Sequence, residues 1–108
     1  MKRGDLVTVG VSGDYGKPRP AVVVQSDFFD EHPSATVLPV TRYFGDTPLF
    51  RIEVAIDSDS NLRTPSQVMV DKAVTVSREK IGAVFGSLSA EAMLAVDRSL
   101  ALFLGIAN

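Results

Sequence analysis

The sequence predicts a mainly β fold: a strongly bent β-sheet or small barrel, closed by one amphipathic C-terminal helix. Short β-branched runs, several with period-two alternation and separated by Gly, Pro, Asp and Ser, fill the first three-quarters of the chain. The last stretch changes to a helical period. Size bounds the answer. With 108 residues, 45% hydrophobic and 22% charged, the expectation is one globular domain over 1–108, without room for separate catalytic and cofactor lobes.

Asp5-Leu6-Val7-Thr8-Val9 alternates and is β-branched, so it reads as the first strand. Gly10 to Pro18 carries three glycines and a proline and reads as an exposed loop. Pro20 to Gln25 is an almost unbroken apolar run, as in a central strand buried on both faces. Ser26 and Asp27 suit a turn or cap, and Phe28 to His32 one helical turn before Pro33. Thr36 to Thr41 reads as a strand in which Pro39 implies an edge or a bulge. Phe50 to Ile56 alternates, with Arg51 and Glu53 on one side and Ile52 and Val54 on the other. Asp57 to Pro65 is turn-like, and Ser66 to Val70 and Val74 to Val76 are short strands separated by Asp71-Lys72. Ser89 then offers an N-cap, Leu88 and Met93 a hydrophobic staple, and Gly105 a C-terminal cap. Between these caps Met93, Val96, Leu100 and Phe103 recur at helical spacing.

Composition removes several chemistries. The absence of cysteine rules out disulfides, thiolate zinc sites and cysteine nucleophiles, and His32 alone cannot build a histidine metal cage. No metal or cofactor is expected. No run of about 18 apolar residues is present, and Met1 to Asp5 leads into a strand rather than a signal-type core, so a cytoplasmic protein is expected. A net charge of -2 argues against a general coat for duplex nucleic acid, yet permits an enzyme that grips a few phosphates locally.

Three places suit chemistry. In Gly16-Lys17-Pro18-Arg19-Pro20, the prolines restrict where Arg19 points, and a guanidinium held this way suits bidentate recognition of a phosphate. The alternative is a solvated arginine beside a turn. In Pro39-Val40-Thr41-Arg42, the Thr41 hydroxyl suits a phosphate oxygen or a ribose hydroxyl, or simply nearby backbone. Asp71 suits a turn bond, or a general base if its pKa were raised. Asp57-Ser58-Asp59 lacks the glycine and distal glutamate of a calcium loop and reads as solvated, and His32 as a surface or capping residue.

Taken together, Met1-Lys2-Arg3-Gly4-Asp5-Leu6-Val7, Gly16-Lys17-Pro18-Arg19-Pro20 heading Ala21-Val22-Val23-Val24, and Leu38-Pro39-Val40-Thr41 resemble the MazF/PemK (Kid-like) toxin endoribonucleases. The resemblance runs through Ser66-Gln67-Val68-Met69-Val70-Asp71-Lys72 to the C-terminal helix. It implies an SH3-like curved β-barrel and a homodimer that cuts single-stranded RNA, with a cognate antitoxin whose flexible acidic C-terminal segment plugs the RNA groove. It implies catalytic roles for Arg19, Thr41 and Asp71 and substrate-binding roles for Lys17, Arg42 and Gln67. Met69 stands where some members place an arginine two residues before the aspartate, and the first loop has no histidine. The chemistry is compatible with these residues, because RNA carries its own nucleophile in the ribose 2′-hydroxyl. For the dimer, Phe103, Leu104 and Ile106 offer an apolar end-surface, unless they complete the protomer's own core. For the antitoxin, Lys17, Arg19, Arg42 and Arg63 are the available cations.

A rival comes from the same structural superfamily. Val24-Gln25-Ser26-Asp27-Phe28-Phe29-Asp30 and Leu102-Phe103-Leu104-Gly105-Ile106 resemble segments of the CcdB gyrase poisons, which do no chemistry. Those poisons act through a terminal Trp-Gly-Ile; here Leu104 takes the tryptophan position and Ala107-Asn108 follow the isoleucine.

Overall fold

The computed structural model describes residues 1–10, 17–47 and 49–107. Most of the loop expected between Gly10 and Pro18 lies outside the described residues, as does Gly16 of the Lys-Pro-Arg-Pro motif. The strands are β1 (Asp5–Val9), β2 (Arg19–Val23), β3 (Ser34–Thr41), β4 (Arg51–Val54), β5 (Ser66–Met69), β6 (Val74–Ser77) and β7 (Ile81–Ser87), followed by helix α1 (Ala90–Phe103). All pairings are antiparallel, in the order β4-β5-β3-β2-β1-β7, with β6 also paired to β3.

Period-two alternation sends side chains to both faces of this sheet, and both faces are buried along its central strands. Leu6, Val22, Leu38 and Val68 pack with Val96 of α1 on one side. Val7, Val9, Ala21, Val23 and Val37 form a second cluster on the other. Consecutive residues Ala21, Val22, Val23 and Val24 are all buried, as the apolar run predicts for a central strand. Each such valine contributes about 1.5–3 kcal/mol by leaving water, so this strand anchors everything that follows it.

β3 corrects the expectation of an edge. It is the hub of the sheet, pairing with β2, β5 and β6. Pro39 sits where one partner gives way to the next: β6 pairs up to Val37 and β5 begins at Val40. A residue without an N–H is accommodated at such an interruption, although Pro39 still faces Ala21 of β2.

β7 has no counterpart among the strands read from the sequence, because Gly82 and Gly86 break its alternation. Both glycines have a steric reason. A Cβ on Gly82 would collide with the Thr8 hydroxyl, and one on Gly86 would lie 2.6 Å from the carbonyl carbon of Ser60 and 2.7 Å from the Asp59 oxygen. The β1–β7 register shifts at Leu6/Val7 and Val7/Val9, which bends the sheet.

The sheet is not closed into a ring: β4 and β7 end the path with no ladder between them. Residues 57–65 span the gap. Asp59 O accepts the Ser87 N–H at 2.9 Å, and the Asn61 amide donates to Phe85 O at 2.6 Å. Asp57 Oδ1 accepts the Asp59 and Ser60 N–H groups at 3.0 and 2.7 Å, so the acidic string is a local turn.

The helix signals hold. The Ser89 hydroxyl accepts the Ala92 N–H at 3.0 Å, and Leu88 and Met93 belong to one cluster. At the other end Gly105 takes φ +75°, and the Ile106 N–H closes back on Ala101 O at 2.9 Å. Arg3 reaches Asp97 through two hydrogen bonds of 2.6 and 3.2 Å, tying α1 to the chain start. Leu104 and Ile106 are 57% and 78% exposed and do not complete the protomer's core, while the half-exposed Phe103 sets its ring 6.3 Å from that of Phe50. The turn after β2 is a single 3₁₀ turn, Asp27–Phe29, and His32 is exposed, its Nδ1 accepting the Ser34 N–H at 3.1 Å. Among the described residues no helix is long and apolar enough to cross a membrane.

Candidate functional site

The start of β2 and the end of β3 meet because the two strands are antiparallel. Their register pairs Ala21 with Pro39. Continuing it by two residues along each strand sets Arg19 across from Thr41. Both line a cleft of about 610 Å³, together with Lys17, Arg42, Tyr43 and Met69. Leu62, Thr64 and Ser66 form its other wall. No aspartate or glutamate is among its described lining residues, whereas Lys17, Arg19 and Arg42 are. Positive charge is therefore gathered here in a chain whose net charge is -2, and the cleft attracts anions.

The Thr41 hydroxyl oxygen accepts the Tyr43 N–H at 3.1 Å. That bond occupies a lone pair and leaves the hydroxyl proton available for an oxygen in the cleft. Arg42 lies over the Tyr43 ring, its Cζ 5.4 Å from the centroid, and its Nη2 donates to the phenol oxygen at 3.4 Å. The Arg42 hydrogen bond first, then the Arg42 charge, hold the Tyr43 phenol below the ordinary tyrosine value against a smaller desolvation effect, and the Arg19 charge adds to the lowering.

Two nominated residues lie apart from the cleft lining. Asp71 sits in a 3₁₀ turn after β5, where Arg51 Nε donates to Oδ1 at 3.0 Å and Nη2 to Oδ2 at 3.3 Å. Desolvation pushes the Asp71 carboxyl up, but the Arg51 hydrogen bond and charge outweigh it and leave the group below the ordinary carboxylate value. That is the opposite of the raised pKa a general base needs. Arg51 faces Met69 across the β4–β5 ladder, so Asp71 draws its arginine from the neighbouring strand. Gln67 is only 3% exposed, and its side-chain amide accepts the Gly45 N–H at 2.9 Å and donates to Gly45 O at 3.2 Å. It shapes the loop carrying Tyr43. Arg63 is exposed between two cleft-lining residues, Leu62 and Thr64.

Sequence reasoning missed Tyr43 and Arg51. The alternation in Phe50 to Ile56 already put Arg51 on one face, but its partner depends on strand register. Behind Arg19, Pro20 and Pro39 lies a second recess of about 430 Å³, lined by Val9, Ala21, Val37, Val74 and Val76 with Lys72 and Lys80. Among the described residues no three His, Asp or Glu side chains are grouped to hold a metal ion.

The model of the PemK-like, MazF-like toxins of type II toxin–antitoxin systems matches residues 2–104. The chain belongs to this family. A relative from Mycolicibacterium smegmatis (strain ATCC 700084 / mc(2)155), named probable endoribonuclease MazF, is 43% identical over 109 residues, covering 100% of both chains. Solved family structures share the fold. An endoribonuclease from Mycobacterial species, in complex with its cognate antitoxin, superposes with a TM-score of 0.81 at 18% identity, over 100% of this chain and 98% of that one. Mycobacterium tuberculosis toxin MazF-mt6 gives 0.79 at 20% identity, over 94% and 96%. The family fold thus agrees with the bent sheet and single C-terminal helix described above.

Proposed function

We propose that this chain is the toxin of a type II toxin–antitoxin system and acts in the cytoplasm as a metal-independent, sequence-selective endoribonuclease on single-stranded RNA. The observation that carries the reading is that Arg19 and Thr41 line one cleft whose described lining has cations and no carboxylate. In the reaction the ribose 2′-oxygen gives up its proton to water and bonds to the adjacent phosphorus, and the bond to the 5′-oxygen breaks as that oxygen takes a proton from water, leaving a 2′,3′-cyclic phosphate and a 5′-hydroxyl. Charge grows on the non-bridging oxygens in the transition state. Arg19 offers a planar fork of donors to those oxygens, and Thr41 a hydroxyl proton. Lys17 and Arg42 hold flanking phosphates. Arg19 stays protonated, so it is no base. Asp71 contributes by fixing Arg51 and the turn that follows β5, and Gln67 by fixing the loop at Gly45.

A homodimer follows from the exposed Phe103, Leu104 and Ile106, which a monomer would leave in water. An antitoxin segment bearing acids and apolar anchors suits the cations Lys17, Arg19, Arg42 and Arg63 and the apolar recess beside them. The gyrase-poison alternative is not favoured, given the family match and the 43% identical relative. The test is incubation of purified protein with mixed-sequence RNA in EDTA and, separately, with gyrase and supercoiled DNA. Cleaved RNA ending in cyclic phosphate is expected; intact RNA with gyrase trapped on cut DNA would reverse the assignment.

A further inference from the structure

Tyr43 combines features that a surface tyrosine rarely has together. It lines the cleft, yet the residue is 72% exposed. Its backbone is held on both sides: its own N–H is bonded to Thr41 Oγ1 at 3.1 Å, and Gly45 is clamped by the buried amide of Gln67. The guanidinium of Arg42 rests over the ring at 5.4 Å, which restricts the side chain as well. An exposed aromatic plane is thus kept at a fixed position relative to the Thr41 hydroxyl. Among the described residues, most of Tyr43 outside the Arg42 contact is open to solvent.

We propose that Tyr43 is a stacking platform for a nucleobase next to the scissile phosphate, an inference that rests on the ribonuclease reading. Bases of single-stranded RNA are unstacked and bind aromatic faces readily, and every base has such a face. Tyr43 therefore positions the nucleotide whose phosphate meets Arg19 and Thr41 rather than choosing its identity. Arg42 serves twice, holding the ring and offering a charge to the passing backbone. The depressed phenol pKa is a by-product of the Arg42 hydrogen bond first, and then of the Arg42 and Arg19 charges.

The chain has no tryptophan and two tyrosines, so Tyr15→Phe leaves Tyr43 as the sole source of tyrosine emission. The cut site is first mapped on mixed-sequence RNA with wild-type protein; absence of any cutting refutes the ribonuclease reading, and this inference with it. An oligonucleotide of the mapped sequence is then made non-cleavable by a 2′-deoxy sugar at the scissile nucleotide, with 2-aminopurine placed at each neighbouring position in turn. Binding should quench Tyr43 emission in the Tyr15→Phe protein, and quench 2-aminopurine at one position. Tyr43→Ala should bind roughly five- to a hundredfold more weakly and abolish that quench. Tyr43→Phe should restore both, with kcat/KM recovered mainly through KM. Tyr43→Ala cutting and binding like wild type, in a protein that does cut RNA, overturns the proposal. So does Tyr43→Phe failing as badly as Tyr43→Ala, which would assign the role to the phenol oxygen.

Discussion

Replacing Asp71 by Asn removes one charge and leaves the side-chain volume unchanged. In the wild type Arg51 makes two bonds to the carboxylate, with the two side chains 18% and 17% exposed. A hydrogen bond to a charged group contributes about 1.5–3 kcal/mol net. Asparagine keeps one carbonyl acceptor and leaves the Arg51 guanidinium desolvated without a counter-charge. We expect a loss of about 2 kcal/mol, which for a domain of this size lowers Tm by roughly 10 °C. The pH dependence follows from the depressed carboxyl pKa in the folded state. Such a group stabilises fully above its unfolded value of about 4, and the contribution is lost as pH falls towards the folded value. The gap between wild type and Asp71→Asn should therefore be full at neutral pH and narrow progressively as the pH falls below the unfolded value. Circular dichroism melts at one fixed protomer concentration measure it, since the proposed dimer would make Tm concentration-dependent. The double variant Arg51→Met/Asp71→Leu should recover part of the loss. Equal melts at neutral pH, or a gap of the same size in acid, would refute the assignment of Asp71 as a structural anion.

At the cleft, Arg19→Ala should lower the cleavage rate on the order of a hundredfold with the far-ultraviolet spectrum unchanged, and Arg19→Lys should rescue poorly for want of the planar fork. Thr41→Val keeps the strand and removes the donor; single-turnover cleavage should slow on the order of tenfold or more. Gly86→Ala forces a methyl into the Ser60 and Asp59 backbone and should destabilise by about 3 kcal/mol in urea melts. Phe103→Glu with Ile106→Glu should turn a dimer into a monomer at micromolar concentration by light scattering.

Local pattern carried the strands from β1 to β6 and both ends of α1, because alternation, β-branching and capping are written in neighbouring residues. It failed at β7, where Thr8 and the Ser60 backbone demand glycine for reasons that only the folded chain supplies. Pro39 misled in the same way: the gap between two partner strands is a property of the sheet, not of the sequence around the proline. Arg19 and Thr41 were visible as motifs, while their apposition depends on the β2–β3 register. Asp71 was visible too, but its Arg51 partner lies one strand away. Tyr43 stayed hidden because an exposed tyrosine after an arginine carries no periodic signal.

The stretch from Asp57 to Ser66 does two jobs with one piece of chain. Its first half fastens the free margin of the sheet at Phe85 and Ser87, and its second half supplies Leu62, Thr64 and Ser66 to the cleft. The width of the cleft is therefore mechanically geared to that fastening. A change that loosens the clasp, however far from Arg19, slackens one wall of the cleft while β2 and β3 hold the other. The shape of the cleft and the fastening of the open sheet here share a single strut, so selection on either acts on both.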